Sequence, residues 1–312
     1  NPNDIKISEF SSCTRDNAKR VYGICVFADE FSPDTTGDGS AGLWGPYLLG
    51  DTPPDKILRW GGITHRWLES LWKGGLSPET GVSLLPVYRV TRDPEGYTDS
   101  SWTNLVYGAQ RLAVKEDGWV FVTYTSEPVR LLPWLMKTFI EAGGKFEKKR
   151  IHALHELVEH GYDLIINCSG LGARELAADR TVIPIRGQVA RVTAPWAMHG
   201  HLEDDEHGNY VIPNIDSTVL GGTHQENDYN RNPRGEDSIF IFDGCYRILP
   251  GLRGTSVTEE WVGLRPGRPE IRLEAEVIHN YGHGGSGVTL CWGCALNVVE
   301  IVRGQTRIKS NL

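Results

Sequence analysis

Two stretches of this chain share one plan: a short apolar run, a cluster of glycines, then apolar residues at helical spacing. Residues 163–167 lead through Cys168-Ser-Gly-Leu-Gly172 into a helix predicted from Ala173. Residues 277–281 lead through Gly282-His-Gly-Gly-Ser-Gly287 into a helix predicted to run to about Arg303. Strand, glycine turn and helix in succession is the unit of a doubly wound sheet, so an α/β fold is expected. A further strand fits residues 21–28, which end at Asp29. Helices fit residues 55–73, with Gly74-Gly75 as a stop, and 127–142, with Pro128 near the start and Gly143-Gly144 beyond the end. Between residues 185 and 264 the composition changes to short β-like runs at 188–193, 210–212, 218–220 and 260–264. A second, mainly antiparallel sheet is predicted there. The chain is expected to weave between two lobes. Residues 21–50, 126–190 and 277–305 form the doubly wound one, residues 51–125 and 191–276 the antiparallel one, and residues 1–20 stay unassigned.

The bulk numbers exclude several classes. With 312 residues and 39% hydrophobic content the chain can bury a large core. A net charge of -8 gives no basic footprint for nucleic acid. No apolar run reaches the roughly 18 residues that span a bilayer, and no secretory leader pattern opens the chain. No metal site is expected. Cys13, Cys25, Cys168, Cys245, Cys291 and Cys294 are too sparse for a disulfide scaffold, which points to a reducing compartment. Cys291-Trp-Gly-Cys294 has redox-motif spacing but reads as buried thiols beside a glycine-rich turn.

Four segments could carry chemistry. Val26-Phe-Ala-Asp29 ends a strand on a carboxylate, as a ribose-binding position does, although turns and caps use Asp in the same way. Residues 35–44, Thr-Thr-Gly-Asp-Gly-Ser-Ala-Gly-Leu-Trp, could present backbone N–H groups to a phosphate or a flat ring, or serve as a plain loop. Residues 282–289 put glycines and a helix N-terminus where a flat anionic ligand could sit. In Trp261-Val-Gly-Leu-Arg265-Pro-Gly-Arg268, an arginine set among apolar residues either pairs with a core carboxylate or offers its planar fork to a substrate carboxylate.

In order along the chain, Thr35-Thr36, Ala41-Gly-Leu-Trp44, Asn167-Cys-Ser-Gly170, Arg186-Gly-Gln188, Gly221-Gly-Thr223, Gly263-Leu-Arg-Pro266, Asn280-Tyr-Gly-His-Gly-Gly285 and Trp292-Gly293 resemble the D-amino-acid oxidase and D-aspartate oxidase family. The resemblance runs from about residue 24 to the C-terminus. It implies non-covalent FAD and a two-lobed fold. The implied reaction oxidises a D-amino acid to an imino acid, which hydrolyses to a 2-oxo acid and ammonia, while oxygen becomes hydrogen peroxide. Position by position, it implies Arg265 as the clamp on the substrate α-carboxylate, Tyr210 as a second donor to it, and the Gly285 carbonyl as acceptor of the α-amine. Asp29 matches the ribose carboxylate. Thr35, Thr36, Gly42, Leu43, Ile151, Ser169, Gly284, Gly287, Val288 and Thr289 match FAD-contacting positions.

The sequence departs from that pattern in three ways. No Gly-x-Gly-x-x-Gly precedes residue 24, so the doubly wound lobe is expected to be incomplete, without its first strand and phosphate loop. Two stretches, near residues 113–119 and 274–277, look short. His224 and Glu203 stand where the D-aspartate branch has arginines for the side-chain carboxylate, and Glu203 lies in Glu-Asp-Asp-Glu206, which is expected to repel a dicarboxylate. The tail, Ser310-Asn-Leu312, resembles a peroxisomal address read by an import receptor. An active oxidase with a slight lean to D-aspartate is the leading expectation. The alternatives are a catalytically silent relative that binds small molecules, an incomplete chain of a working enzyme, and a glycine or sarcosine oxidase, which the Gly-Leu-Arg-Pro context fits less well.

Overall fold

In a computed structural model the structure describes residues 23–92, 101–112, 117–204, 208–275 and 277–310. In chain order these form β1 (Cys25–Ala28), α1 (Pro54–Lys73), α2 (Ser77–Thr80), β2 (Ser83–Thr91), β3 (Tyr107–Leu112), β4 (Asp117–Thr125), α3 (Pro128–Glu141), β5 (Lys145–Lys148), α4 (His155–Glu159), β6 (Ile166–Asn167) and α5 (Ala173–Leu176). They continue with β7 (Ile183–Val192), β8 (Gly200–Glu203), β9 (Tyr210–Pro213), β10 (Thr218–Gly221), β11 (Gln225–Glu226), α6 (Gly235–Ile248), β12 (Val257–Gly267), β13 (Arg272–Glu274), β14 (Ile278–Tyr281) and α7 (Gly287–Ser310).

Nine strands make one large sheet in the order β11-β7-β10-β9-β8-β2-β4-β3, with β12 along β7. It is antiparallel except where β2 runs parallel to β8. The strand β7 belongs wholly to this sheet, so the lobe boundary expected between residues 190 and 191 falls inside a strand. Two small parallel pairings lie outside it: β1 with β5, and β6 with β14, which β13 extends on its other side. Among the described residues β1 and β6 each have a single strand partner. Both leave apolar side chains open, with Val26 37% and Ile166 43% exposed. Residues 1–22 lie outside the described residues, and with them the expectation that no first strand and phosphate loop are present there.

The helices read from apolar spacing are present, and α1 and α7 pack closely. A Cβ on Gly293 of α7 would lie 2.2 Å from the Trp60 carbonyl oxygen of α1, so only a glycine permits this approach. Trp67 and Trp292 stack beside it with ring centroids 4.5 Å apart. Downstream of Cys168 the expected helix is a single turn, α5.

The 14-residue helix α6 is a finding the sequence does not announce. Its β-branched and aromatic residues favour a strand, and tertiary contacts override them. Asp237 in its first turn pairs at 2.6 Å with Arg186, a fully buried side chain of β7 that also binds Gln188, Gln225 and the Asn230 and Asn232 carbonyls. Gly244 lets the Asn209 side chain lie against the helix backbone. Of the two cysteines around Trp292, Cys294 is buried as expected and Cys291 is exposed.

Candidate active site

Three segments converge where β14 passes into α7. Gly282 and Gly284 take positive φ of 87° and 51°, which turn the chain sharply into the helix. A Cβ on Gly284 would lie 2.2 Å from the Leu48 carbonyl oxygen, and one on Gly285 2.4 Å from the Tyr47 ring. The segment 45–48 is therefore laid flat on the glycine turn. Hydroxyls bolt it there. Ser286 donates to the Tyr47 carbonyl and accepts from the Tyr47 N–H, both at 2.7 Å. Thr289 does the same for Gly45, at 2.8 and 3.1 Å. The third segment is the end of β12, whose Pro266 carbonyl accepts from the Gly284 N–H at 2.9 Å.

The register puts Arg265 of β12 opposite Ile185 of β7, and its guanidinium lies over Gly187, where a Cβ would be 2.2 Å from Nη1. Nη1 donates to the Thr223 carbonyl at 3.0 Å, and among the described residues no carboxylate pairs with this arginine. Arg268, three residues on, behaves otherwise. It donates at 2.9 Å to Asp179, which also accepts from the Tyr281 hydroxyl at 2.9 Å. Burial works against the Asp179 carboxylate, but hydrogen bonds from Thr181, Arg268 and Tyr281 outweigh it and hold its pKa well below the usual range. Arg268 thus pairs with a core carboxylate, and Arg265 does not among the described residues.

Tyr210 lies against Gly221 and Gly222, where a Cβ would be 2.0 Å from the ring and 2.8 Å from the hydroxyl respectively. Burial pushes its phenol up to about 12, partly opposed by the Arg265 charge. Tyr47 is likewise raised by burial and feels Arg265, Asp204 and Arg89. Both phenols keep their protons at neutral pH and can donate. Tyr47 is the residue that sequence reasoning missed. It touches Gly285, is influenced by Arg265, and lines a pocket of about 360 Å³ together with Arg89, Glu203, Asp204 and His224. Arg265 and Tyr210 themselves are not in its wall; Tyr47 is the link. Leu48, also in the wall, has φ +52°, a conformation costly for a branched side chain and held here next to the bolted Tyr47. His224 is exposed at the pocket rim.

Of the run expected to repel a dicarboxylate, Asp205 and Glu206 lie outside the described residues, and Glu203 is already paired. Its side chain is 1% exposed and bonds Arg92 at 2.6 Å and Arg247 at 3.3 Å, so two guanidiniums offset its charge.

The proposed cofactor positions divide into two kinds. Thr35 bonds Asp38, Thr36 brackets Leu264 with both its donor and its acceptor at 3.3 Å, and Thr289 holds Gly45, so these hydroxyls already have protein partners. Gly42, at φ +74°, and Leu43, in a bridge to Thr125, anchor the loop to the end of β4. The second kind is open. Gly287 starts a 24-residue helix and has no atom within 4 Å of a built Cβ, with Val288 half-buried beside it. Among the described residues, Ser169 Oγ, Asn280 Oδ1 and His283 Nε2 are buried without hydrogen-bond partners. Burial holds the His283 imidazole down at about 4, so it is neutral. Asp29 is exposed at the end of β1, 3.9 Å from Arg150, which also reaches Glu175 of α5 at 3.5 Å and so ties the ends of β1 and α5 together; Ile151 follows, half-buried. Unsatisfied buried polar atoms beside an open helix N-terminus fit a polar, anionic cofactor such as FAD.

The sequence matches the family model described as "DAO: FAD dependent oxidoreductase" over residues 11–301, a start earlier than the motifs alone suggest. Curated relatives include a D-aspartate oxidase of Homo sapiens, 34% identical over 89% of this chain and 86% of that protein. A D-amino-acid oxidase of Rubrobacter xylanophilus is 38% identical over 89% of this chain and 87% of its own length. Among solved structures, glycine oxidase from Geobacillus kaustophilus superposes with TM-score 0.74 at 15% identity, covering 96% of this chain and 90% of that one, which establishes the fold alone. With a family match across most of its length and relatives above 30% identity, this chain belongs to the D-amino-acid oxidase family of FAD-dependent oxidoreductases.

Proposed function

We propose that this chain oxidatively deaminates D-amino acids to 2-oxo acids, releasing ammonia and hydrogen peroxide, with acidic side chains favoured. The observation that carries the reading is Arg265, a guanidinium without a carboxylate partner among the described residues, in a cluster with the protonated phenols of Tyr210 and Tyr47. Such a group suits a planar α-carboxylate, which the fork binds through two parallel bonds while a phenol adds a third. The Gly285 carbonyl, beside Tyr47, is the proposed acceptor for the α-amine and so fixes the α-carbon's orientation. Asp29, Ser169 and residues 284–289 would hold FAD, which would supply the two-electron oxidation at the α-carbon with oxygen as the final acceptor. The chain's own part is binding and orientation.

Replacing Arg265 by Lys tests this. An ammonium cannot reproduce the bidentate contact, and kcat/KM for D-amino acids should fall by at least a hundredfold, equivalent to about 2.7 kcal/mol or more. Near-normal turnover by a flavin-loaded Arg265→Lys protein would remove the clamp from Arg265. The alternative is a binding role without turnover; hydrogen peroxide release from a flavin-loaded preparation decides against it. The tail Ser310-Asn-Leu312, whose last two residues lie outside the described ones, supports a peroxisomal location through the import receptor. Fusing that tail to a fluorescent protein, with and without Leu312, is the direct assay.

A further inference from the structure

Ser286 is fully buried, and its hydroxyl is spent on a residue 239 positions earlier. Donating to the Tyr47 carbonyl and accepting from the Tyr47 N–H, it closes a clip on the two peptide groups that flank Tyr47. The clip fixes the direction in which the tyrosine side chain leaves the backbone. It acts where it is needed, because Leu48 follows at φ +52° and a free segment would relax out of that conformation. Ser286 is itself fixed. Its N–H donates to the His283 carbonyl at 2.9 Å across the turn through Gly284 and Gly285, and its carbonyl accepts from the Leu290 N–H at 3.1 Å as α7 begins. In a trans peptide the carbonyl points opposite to the N–H, so the Gly285 carbonyl is turned away from His283. Among the described residues no donor reaches it.

The same few residues lead to Arg265. The Tyr47 ring packs on Gly285, and the Gly284 N–H is bonded to the carbonyl of Pro266, next in sequence to Arg265. The charge of Arg265 acts on the Tyr47 phenol, and the Tyr47 phenol acts on that of Tyr210, so the three groups form one cluster. Among the described residues the Tyr47 hydroxyl has no hydrogen-bond partner.

We propose that the Tyr47 phenol binds substrate, donating to the α-carboxylate held by Arg265, and that Ser286 is the positioning residue that aims it. The proposal rests on the reading of Arg265 as the carboxylate clamp and adds a donor and its support to that site. An α-amino acid carries its carboxylate and its amine on one carbon. With the amine at the Gly285 carbonyl and the carboxylate at Arg265, both lie beside the ring that rests on Gly285. A carboxylate has about four lone-pair sites and a bidentate guanidinium uses two, so a phenol can still donate to it. Burial outweighs Arg265 in its effect on the phenol, which therefore keeps the proton it has to donate at neutral pH.

The test is the dissociation constant of propionate, a carboxylate without an amine, read from the absorbance change of the flavin-loaded protein. Tyr47→Phe should raise it at least tenfold, and Ser286→Ala at least fivefold. In the Tyr47→Phe background Ser286→Ala should change it by less than twofold, because the serine then has no phenol left to aim. In turnover, KM for D-alanine should rise in the same order while kcat falls less, since the contact holds ground state and transition state alike. An unchanged propionate constant in Tyr47→Phe would take the phenol off the carboxylate. Equal losses from Ser286→Ala in both backgrounds would reduce Ser286 to general packing. Either result overturns the proposal while leaving the clamp intact. Propionate binding that survives Arg265→Lys would overturn the clamp, and this proposal with it.

Discussion

At the scale of single residues, the two arginines of the Gly-Leu-Arg-Pro-Gly-Arg segment show how one motif divides its roles. Arg268 belongs to the Asp179 network, which anchors β14 through Tyr281; Arg265 has no carboxylate partner among the described residues. The space that allows this is Gly187. A methyl group there would lie 2.2 Å from the Arg265 Nη1, so Gly187→Ala should displace the guanidinium. We expect kcat/KM to drop at least tenfold while the melting temperature moves by only a few degrees; a normal kcat/KM would mean the guanidinium can relocate without consequence. Asp179 makes a prediction in pH. Its folded pKa lies below the unfolded value of roughly 4. The stability it contributes is therefore complete at neutral pH and is lost as pH falls below about 4 toward the folded value. Asp179→Asn should cost about 3 kcal/mol at pH 7, as breaking a buried pair does, and should flatten the acid limb of the stability profile, as followed by urea unfolding. Arg265 was legible in the sequence because apolar neighbours and a proline argue against a solvated arginine. Tyr47 was not, because what makes it a site residue is contact with a segment some 240 positions away.

At the scale of elements, α1, α3 and α7 were readable from apolar spacing with glycine or proline at their ends, and β7, β9, β10, β12 and β14 from short apolar runs. The strands β2 and β4 were not read. Pro86 interrupts β2, and a proline argues against an inner strand because it donates no ladder hydrogen bond. The structure resolves this by register: Pro86 pairs with Val122 on one side, while pairing with β8 begins only at Val87. Helix α6 depends on Arg186 and Asn209, which its own sequence cannot reveal. The contact between α1 and α7 gives an element-scale expectation. Gly293→Ala forces a methyl group into the Trp60 backbone, and overpacking of this kind costs roughly 1–3 kcal/mol. Since Ser286 immediately precedes α7 and Thr289 lies in its first turn, a shifted helix should also loosen the 45–48 segment. Flavin affinity and stability are expected to fall together in Gly293→Ala, and a drop in stability with unaltered affinity would show that the two helix ends move independently.

At the scale of the whole molecule, the question is how the two small parallel pairings come to hold a dinucleotide. In a doubly wound lobe the cofactor's diphosphate lies at a helix N-terminus beyond the strand ends, and inner strands are paired on both sides. Here β1 pairs only with β5, and β6 only with β14, among the described residues. Ile24, Val26, Leu164 and Ile166 are between 36% and 43% exposed along those strands and just before them. Covering the exposed two-fifths of each such side chain is worth roughly 0.6–1.2 kcal/mol, so a strand that covered all four would add a few kcal/mol. The N–H groups of a Gly-x-Gly-x-x-Gly turn after that strand would add diphosphate contacts to those proposed for Asp29, Ser169 and α7. Fusing a strand, Gly-x-Gly-x-x-Gly turn and helix before residue 21 should therefore raise both the melting temperature and the FAD affinity, the latter at least tenfold by absorbance titration. The control is the same fusion with the three glycines replaced by alanines, which should keep much of the gain in stability and lose the gain in affinity. If the 312-residue chain alone binds FAD stoichiometrically and the fusion adds nothing, its own residues already complete the diphosphate cradle, and the exposed apolar edges of β1 and β6 have no part in cofactor binding.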